Sequence, residues 1–165
     1  MRICVIAGGP SSGKTATIKV LKKRGFQVLE ESAREILSSV EGDYEKLQKM
    51  IMFRQIRKER QLNVEGLVFL DRSVLDSIVY SDIFIGHLPD GIKKVVPPRK
   101  YFKVFMLERL PFESDGLRIE SGNEQAQEIH DKLIRIYEEH GCELIHVPVM
   151  PIEERVGFIL GKLED

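Results

Sequence analysis

Short apolar runs alternate with longer stretches of helical periodicity along the chain. Mostly apolar runs at residues 3–7, 26–29, 67–70, 103–107 and 144–147 predict five strands that are buried on both faces. Helices are predicted between the strands at 15–24, 32–39, 44–62, 74–85 and 123–140, and a closing helix with Pro151 at its first position extends to about residue 162. Strands that alternate with helices predict an α/β fold with a parallel sheet covered by helices.

Capping residues and loop residues mark the ends of these elements. Ser32 with Glu35, and Ser73 with Asp76, have the spacing of a capping box, and Asn123 is predicted to cap the helix that follows it. Residues 86–99 contain three prolines and predict a loop with at most a short helix. Residues 108–122 are polar and contain two glycines, so we expect a mobile loop there.

Composition and charge narrow the class of protein. The 165 residues are enough for one domain, 1–165, with one substantial core. Lys plus Arg number 25 and Asp plus Glu 26, so no overall charge attracts nucleic acid. The first strand begins near residue 2, which leaves no room for a signal peptide, and no apolar run approaches the roughly 20 residues needed to cross a bilayer. We therefore expect a cytoplasmic protein with no membrane span and no nucleic-acid partner.

The two cysteines could form a disulfide or remain reduced thiols. Cys4 lies in the first predicted strand and Cys142 lies just before the last one, so a disulfide is possible if those strands adjoin. In a cytoplasmic chain, reduced thiols within the core are expected instead.

A glycine-rich motif follows the first strand and opens the first helix. The sequence fits G-x-x-x-x-G-K-[ST], the phosphate-binding P-loop, with the residues Gly8, Gly9, Pro10, Ser11, Ser12, Gly13, Lys14 and Thr15. Small residues let backbone N–H groups surround phosphate oxygens at the start of a helix. Lys14 is predicted to reach the β- and γ-phosphates of ATP, and the Thr15 hydroxyl is predicted to bind Mg²⁺.

The third strand delivers an acid to the same edge of the predicted sheet. Asp71 follows the apolar run 67–70, a position that suits a Mg²⁺ ligand, although a helix cap is the alternative role. The next residue is Arg72, where many ATP-hydrolysing proteins have a glutamate that polarises water. An arginine cannot act as a base, which favours phosphoryl transfer to an acceptor over hydrolysis.

Further charged residues are candidates for acceptor binding and catalysis. Glu30 and Glu31 end the second strand and Arg34 follows one helical turn later, so they could orient an acceptor hydroxyl or phosphate, or form only a surface salt bridge. Arg118 lies within the polar loop and could neutralise charge on the transferred group. The basic residues of the helix at 44–62 predict a solvated face, or a face on which one or two cations contact an anionic substrate.

These motifs resemble those of nucleoside and nucleotide kinases. The Asp71-Arg72-Ser73 triplet is similar to the acid-Arg-Ser triplet of deoxynucleoside kinases, and residues 115–118 are similar to a loop of bacterial nicotinamide-riboside kinase domains. The chain as a whole resembles the family of predicted AAA-type P-loop ATPases related to those kinases, over nearly all of its length. The resemblance implies a three-layer α/β/α sandwich with a five-stranded parallel sheet in the order 2-3-1-4-5, and a lid at about 108–122.

The sequence thus predicts a Mg²⁺- and ATP-dependent kinase of an unidentified nucleoside-like or phosphorylated small molecule. Lys14 would hold the γ-phosphate, and Asp71 would act through Mg²⁺, through a metal-bound water or as a base. Glu31 would bind or deprotonate the acceptor beside Glu30, Arg34 and Arg72, and Arg118 would stabilise the transition state. The alternative is a nucleotide-binding regulatory module without an acceptor. Guanine specificity of the Ras type is disfavoured because no N-K-x-D tetrapeptide occurs.

Overall fold

Five parallel strands form one sheet in the order β2-β3-β1-β4-β5. The strands are β1 (Arg2–Ala7), β2 (Gln27–Leu29), β3 (Leu67–Asp71), β4 (Lys103–Leu107) and β5 (Leu144–Val147). The structure, a computed structural model, describes residues 1–31, 33–37, 40, 42–63, 65–111 and 121–164, without the side chains of residues 34 and 35. β1 lies at the centre, so its carboxyl end opens between those of β3 and β4.

Helices cover both faces of the sheet. The described helices are α1 (Lys14–Lys23), α2 (Ala33–Leu37), α3 (Tyr44–Arg60), α4 (Val74–Ile85), α5 (Asn123–Glu139) and α6 (Ile152–Gly161). Successive side chains of β1 point to opposite faces of the sheet, so the core has one part on each face. Val5 packs with residues of α4 and α5 on one face, and Ile6 packs with residues of α1 and α6 on the other. The predicted three-layer sandwich and strand order are confirmed.

Several predicted helix ends were wrong by one or two residues. Asn123 is the first residue of α5 and Gly122 is the N-cap, because the Asn123 side chain accepts a hydrogen bond from Arg109 instead of capping the helix. Pro151 is the N-cap of α6 and not its first residue. The capping box of Ser73 and Asp76 is confirmed at α4. The capping box predicted at Ser32 lies outside the described residues.

The cysteines and the loop at 86–99 agree with the sequence predictions. Cys4 and Cys142 are both free thiols, so the disulfide alternative is wrong. Burial raises the pKa of Cys4 to about 11, which keeps that thiol protonated at neutral pH. Residues 86–99 contain neither helix nor strand.

Candidate functional site

The loop between β1 and α1 has the backbone geometry that its glycines predict. Gly8 and Gly13 have φ of 142° and 82°, and Ser11 also has a positive φ of 60°. A Cβ atom on Gly8 would lie 2.7 Å from the carbonyl oxygen of Leu107, so no larger residue fits there. Gly13 is the N-cap of α1 and makes no side-chain cap hydrogen bond, so the first-turn amides face the loop. Such a helix N-terminus favours an anion.

Lys14 places its ammonium inside this loop. The side chain is buried, and Nζ donates to Gly8 O at 2.7 Å, to Gly9 O at 2.8 Å and to Ser12 Oγ at 3.2 Å. Burial, together with the positive charge of Arg72, lowers the pKa of Lys14 to about 8, against the opposing effect of Asp71. A buried ammonium beside several backbone amides can form charge-assisted hydrogen bonds with phosphate.

Residues of α5 and of the segment after β4 make hydrogen bonds to this loop and hold it in place. The Gly9 N–H donates to His130 Nδ1 at 3.0 Å, and Arg109 Nε donates to Pro10 O at 3.1 Å. Leu110 N–H donates to Ser11 O at 2.9 Å. Sequence reasoning missed His130, because it lies 121 residues from its partner and carries no local motif. Arg109 was missed because it lies at the edge of the loop predicted to be mobile, at 108–122.

Asp71 ends β3 directly beside the loop. β3 pairs with β1 so that Asp71 lies opposite Ile6, two residues before Gly8. The carboxyl group is buried, and its Oδ1 has no hydrogen-bond partner among the described residues. Burial and the negative charge of Glu31 raise the pKa of Asp71 to about 6, while Lys14 and Arg72 act to lower it.

These observations fit a Mg²⁺ site. An unpartnered, buried carboxylate oxygen is a hard ligand of the kind that Mg²⁺ prefers, either directly or through coordinated water. Thr15, in the first turn of α1, would supply a hydroxyl to the same ion. The donor set of Asp71 and Thr15 therefore suits the metal that the sequence predicts.

Arg72 binds Glu31 and thereby joins β2 to β3. Its Nε lies 3.1 Å from Glu31 Oε1, and its guanidinium lies 4.8 Å from the centre of the Tyr80 ring. Burial acts to lower the pKa of Arg72, but the charges of Glu31, Tyr80 and Asp76 raise it well above its usual value. Arg72 also has a positive φ of 69°, which is rare for a residue with a side chain. Local strain of this kind is concentrated at functional sites.

A network of buried polar side chains supports the Asp71-Arg72-Ser73 triplet. Asp76 accepts from the Ser73 N–H at 3.0 Å and from the hydroxyl of Tyr137. Ser73 Oγ lies 2.7 Å from the same Tyr137 hydroxyl, so the start of α4 is fixed to α5. Burial raises the pKa of Asp76, while Arg72 and the Tyr137 hydrogen bond act to lower it.

Glu59 of α3 plays a similar supporting part. It is completely buried and accepts three hydrogen bonds, from Gln55 at 2.9 Å, from the Val74 N–H at 2.8 Å and from Tyr101 at 2.8 Å. Burial raises its pKa, and these donors oppose the shift. Glu59 therefore caps α4 from a distance, a role that was missed because α3 was interpreted as a charged surface helix.

Gln48 is an unusual buried amide on the same face of α3. The side chain is completely buried, and neither Nε2 nor Oε1 has a hydrogen-bond partner among the described residues. Gln48, Gln55 and Glu59 are spaced seven and four residues apart, which aligns them along one helix face. Gln55 on this face points Nε2 toward the carbonyl oxygen of Arg72, at 3.5 Å. A buried polar group without partners carries a free-energy cost of about 1–3 kcal/mol, so a ligand role for Gln48 is worth testing.

The predicted site residues are brought together only in part. Lys14, Asp71, Arg72 and Glu31 form one cluster, in which neighbouring charges act on the pKa values of Lys14, Asp71 and Arg72, and Thr15 lies beside it at the start of α1. Glu30 is not in this cluster: its exposed carboxylate pairs with Lys22 of α1 at 2.9 Å. Arg118 lies outside the described residues, as do the side chain of Arg34 and residues 112–120 of the predicted lid.

No described helix is long and apolar enough to cross a membrane.

Solved structures with a similar fold include nucleoside and nucleotide kinases. Deoxyadenosine kinase from M. mycoides, with the products dCMP and a flexible dCDP bound, is 15% identical, with a TM-score of 0.69 and 99% of each chain covered. The NadR protein in complex with NR is 20% identical, with a TM-score of 0.68 over 88% of this chain and 43% of that one. Thymidylate kinase from Ehrlichia chaffeensis is 15% identical, with a TM-score of 0.64 and 98% of each chain covered. At these identities the likeness shows the fold.

Comparisons of the sequence itself give one family. No curated protein matches significantly. The family model described as "AAA domain" matches residues 3–155, which is nearly the whole chain. This protein therefore belongs to that AAA domain family, and its fold is that of the P-loop nucleoside and nucleotide kinases.

Proposed function

We propose that this protein transfers the γ-phosphoryl group of ATP to a hydroxyl group of a nucleoside- or nucleotide-like small molecule, with Mg²⁺ as cofactor. The observation that carries the proposal is the meeting of Lys14, Asp71 and the Glu31–Arg72 pair at the carboxyl ends of adjacent strands. Ligands of open α/β sheets bind at this edge. Arg72, in the position after Asp71, cannot activate water as a base, which argues for an acceptor other than water.

Each residue of the cluster has a role that its surroundings permit. Lys14 and the loop amides would bind the phosphates, while Asp71 and Thr15 would hold Mg²⁺, which neutralises charge on the β- and γ-phosphates. Glu31 would accept the hydrogen bond or proton of the acceptor hydroxyl, since Arg72 fixes its carboxylate at 3.1 Å. Arg118 is proposed, from the sequence, to stabilise the transferred group.

Gln48 supports a nucleoside-like acceptor. A planar ring that offers one hydrogen-bond donor and one acceptor would satisfy both atoms of its buried amide. Arg72 lies just before the neighbouring helix α4, and its guanidinium lies 4.8 Å from the ring of Tyr80 on that helix.

Acceptor-dependent ADP release tests this function. Nucleosides and phosphorylated metabolites would be screened with ATP and Mg²⁺, and at least one should stimulate ADP release strongly. Glu31→Gln should then lower turnover about 100-fold or more, because a group that takes part in proton transfer is lost. Glu30→Gln should behave like the native protein because Glu30 pairs with Lys22, away from the cluster. Nucleotide binding without stimulation by any compound would contradict the kinase and favour a regulatory module.

Gln48→Leu tests the acceptor site separately. Loss of an unpartnered buried amide should leave the free protein equally or more stable, while the KM for the acceptor rises and the KM for ATP stays unchanged. A destabilised variant with unchanged KM values would show that Gln48 only fills space.

A further inference from the structure

His130 and Lys14 bind opposite ends of one peptide unit. The peptide bond between Gly8 and Gly9 presents its N–H to His130 Nδ1 at 3.0 Å and its carbonyl oxygen to Lys14 Nζ at 2.7 Å. The imidazole and the ammonium are thus joined through a single peptide group, whose dipole both partners polarise in the same sense.

Packing holds this peptide unit in one orientation. A Cβ atom on Gly9 would lie 2.8 Å from the Cβ of His130 and 3.0 Å from the carbonyl oxygen of Ala126, so α5 packs tightly against the loop. His130 itself is 8% exposed. The Gly9 N–H is therefore committed to His130 and is not offered to a phosphate.

The hydrogen bond requires a neutral imidazole. Nδ1 accepts a hydrogen bond from the Gly9 N–H, so it must carry a lone pair and the ring proton must reside on Nε2. Protonation at Nδ1 would place two N–H groups face to face.

The charges around the ring favour this neutral state. Burial lowers the pKa of His130. The charged groups that face it are Lys14 in the loop, Arg109 after β4, His146 on β5 and Asp131 on its own helix, and of these only Asp131 acts to raise the pKa.

From this geometry we infer that His130 is a positioning residue of the phosphate-binding loop, which fixes the Gly8–Gly9 peptide and through it the ammonium of Lys14. The inference rests on the proposed function insofar as the loop binds nucleotide. Because the hydrogen bond is lost when His130 is protonated, nucleotide affinity must fall with pH below the range in which His130 is neutral. In this role His130 acts through its hydrogen bond with Gly9.

Two replacements of His130 distinguish a role as hydrogen-bond acceptor from a role in filling space. His130→Asn retains an oxygen acceptor near the position of Nδ1 but does not titrate, whereas His130→Leu keeps bulk and removes the acceptor. His140→Asn, at the exposed end of the same helix, is the control. Calorimetry with Mg²⁺ and ADP at about pH 7.5 should give native affinity for His130→Asn and for the control, and about tenfold weaker binding for His130→Leu.

The pH dependence supplies the decisive comparison. From about pH 7.5 to about pH 5, ADP affinity of the native protein should fall further than that of His130→Asn, and titration of ADP itself cancels in the ratio. Native affinity in His130→Leu, or identical pH profiles for the native protein and His130→Asn, would overturn the inference.

A measurement without ligand keeps the inference separate from the proposed function. In the nucleotide-free protein, the NMR resonance of the Gly9 amide should titrate together with the His130 ring, and this titration should be absent from His130→Asn. A Gly9 resonance insensitive to His130 refutes the inference whatever the protein binds. Failure of the native protein to bind ADP, with the Gly9 titration present, refutes only the nucleotide function.

Discussion

Replacing Lys14 by methionine removes a buried ammonium and keeps most of the length of the side chain. In the folded protein the pKa of Lys14 is lowered to about 8 from 10.5, chiefly because the side chain is buried. The charged form is therefore less favourable in the fold than in the unfolded chain, by about 3 kcal/mol. Without nucleotide, the positive charge of Lys14 therefore opposes folding at neutral pH relative to the neutral amine.

The sign of the pH dependence follows from proton counting. Between pH 8 and 10.5 the unfolded chain holds more protons at Lys14 than the folded protein does, so stability rises with pH in this window. Integration from about pH 6.5 to about pH 9.5 gives a gain of about 2 kcal/mol for the native protein relative to Lys14→Met. Other titrating groups are common to both proteins and cancel in the difference.

Urea unfolding of both proteins, without nucleotide, at several values of pH measures this difference. Lys14→Met should also bind ATP at least about tenfold more weakly, because a charge-assisted contact with phosphate is lost. A stability difference that stays constant from about pH 6.5 to about pH 9.5 would refute the reasoning about burial, and unchanged ATP affinity would show that the loop does not bind phosphate.

Three further changes test other parts of the site. Asp71→Asn should leave the melting temperature of the free protein equal or higher, since a buried charge is lost. The variant should also lose the added stabilisation that Mg²⁺ gives to the nucleotide complex. Severe destabilisation of the free protein would show instead that Asp71 has a structural role. Gly9→Ala should weaken ADP binding at least about tenfold, because the new methyl group meets the backbone of α5. At Gly157 a methyl group has no neighbour within 4 Å, so Gly157→Ala should raise the free energy of unfolding in urea by roughly 0.5–1 kcal/mol. Arg118→Ala, a change outside the described residues, should lower turnover about 1000-fold while ATP affinity changes little; full turnover would exclude the role predicted from sequence.

The strands and the phosphate-binding loop could be predicted, because local patterns in the sequence indicate both. Buried strands are short apolar runs, and the phosphate-binding loop is a contiguous motif whose glycines are required by its own backbone angles. The pairing of β1 with β3 then places Asp71 beside the loop, so the residues proposed to bind Mg²⁺ follow from motif and topology together.

Residues that act across long separations could not be predicted. His130 contacts Gly9 only because α5 crosses the front of the loop, and no periodicity of α5 distinguishes this histidine from a residue of the core. Gln48 and Glu59 were hidden in a helix whose many cations suggested a surface. The available signal was their spacing, which places them on the face opposite to those cations together with Met52.

The left-handed backbone of Arg72 explains how three consecutive residues serve three different partners. In a continuous strand, Asp71 and Ser73 would point to the same face, because side chains alternate. The positive φ of 69° breaks that alternation at the end of β3. Asp71 lies beside the phosphate-binding loop, Arg72 pairs with Glu31, and Ser73 caps α4 and contacts Tyr137. The strain costs about 1–2 kcal/mol, a cost that the ion pair and the capping box offset, and it brings the groups proposed to bind metal and acceptor to one edge of the sheet.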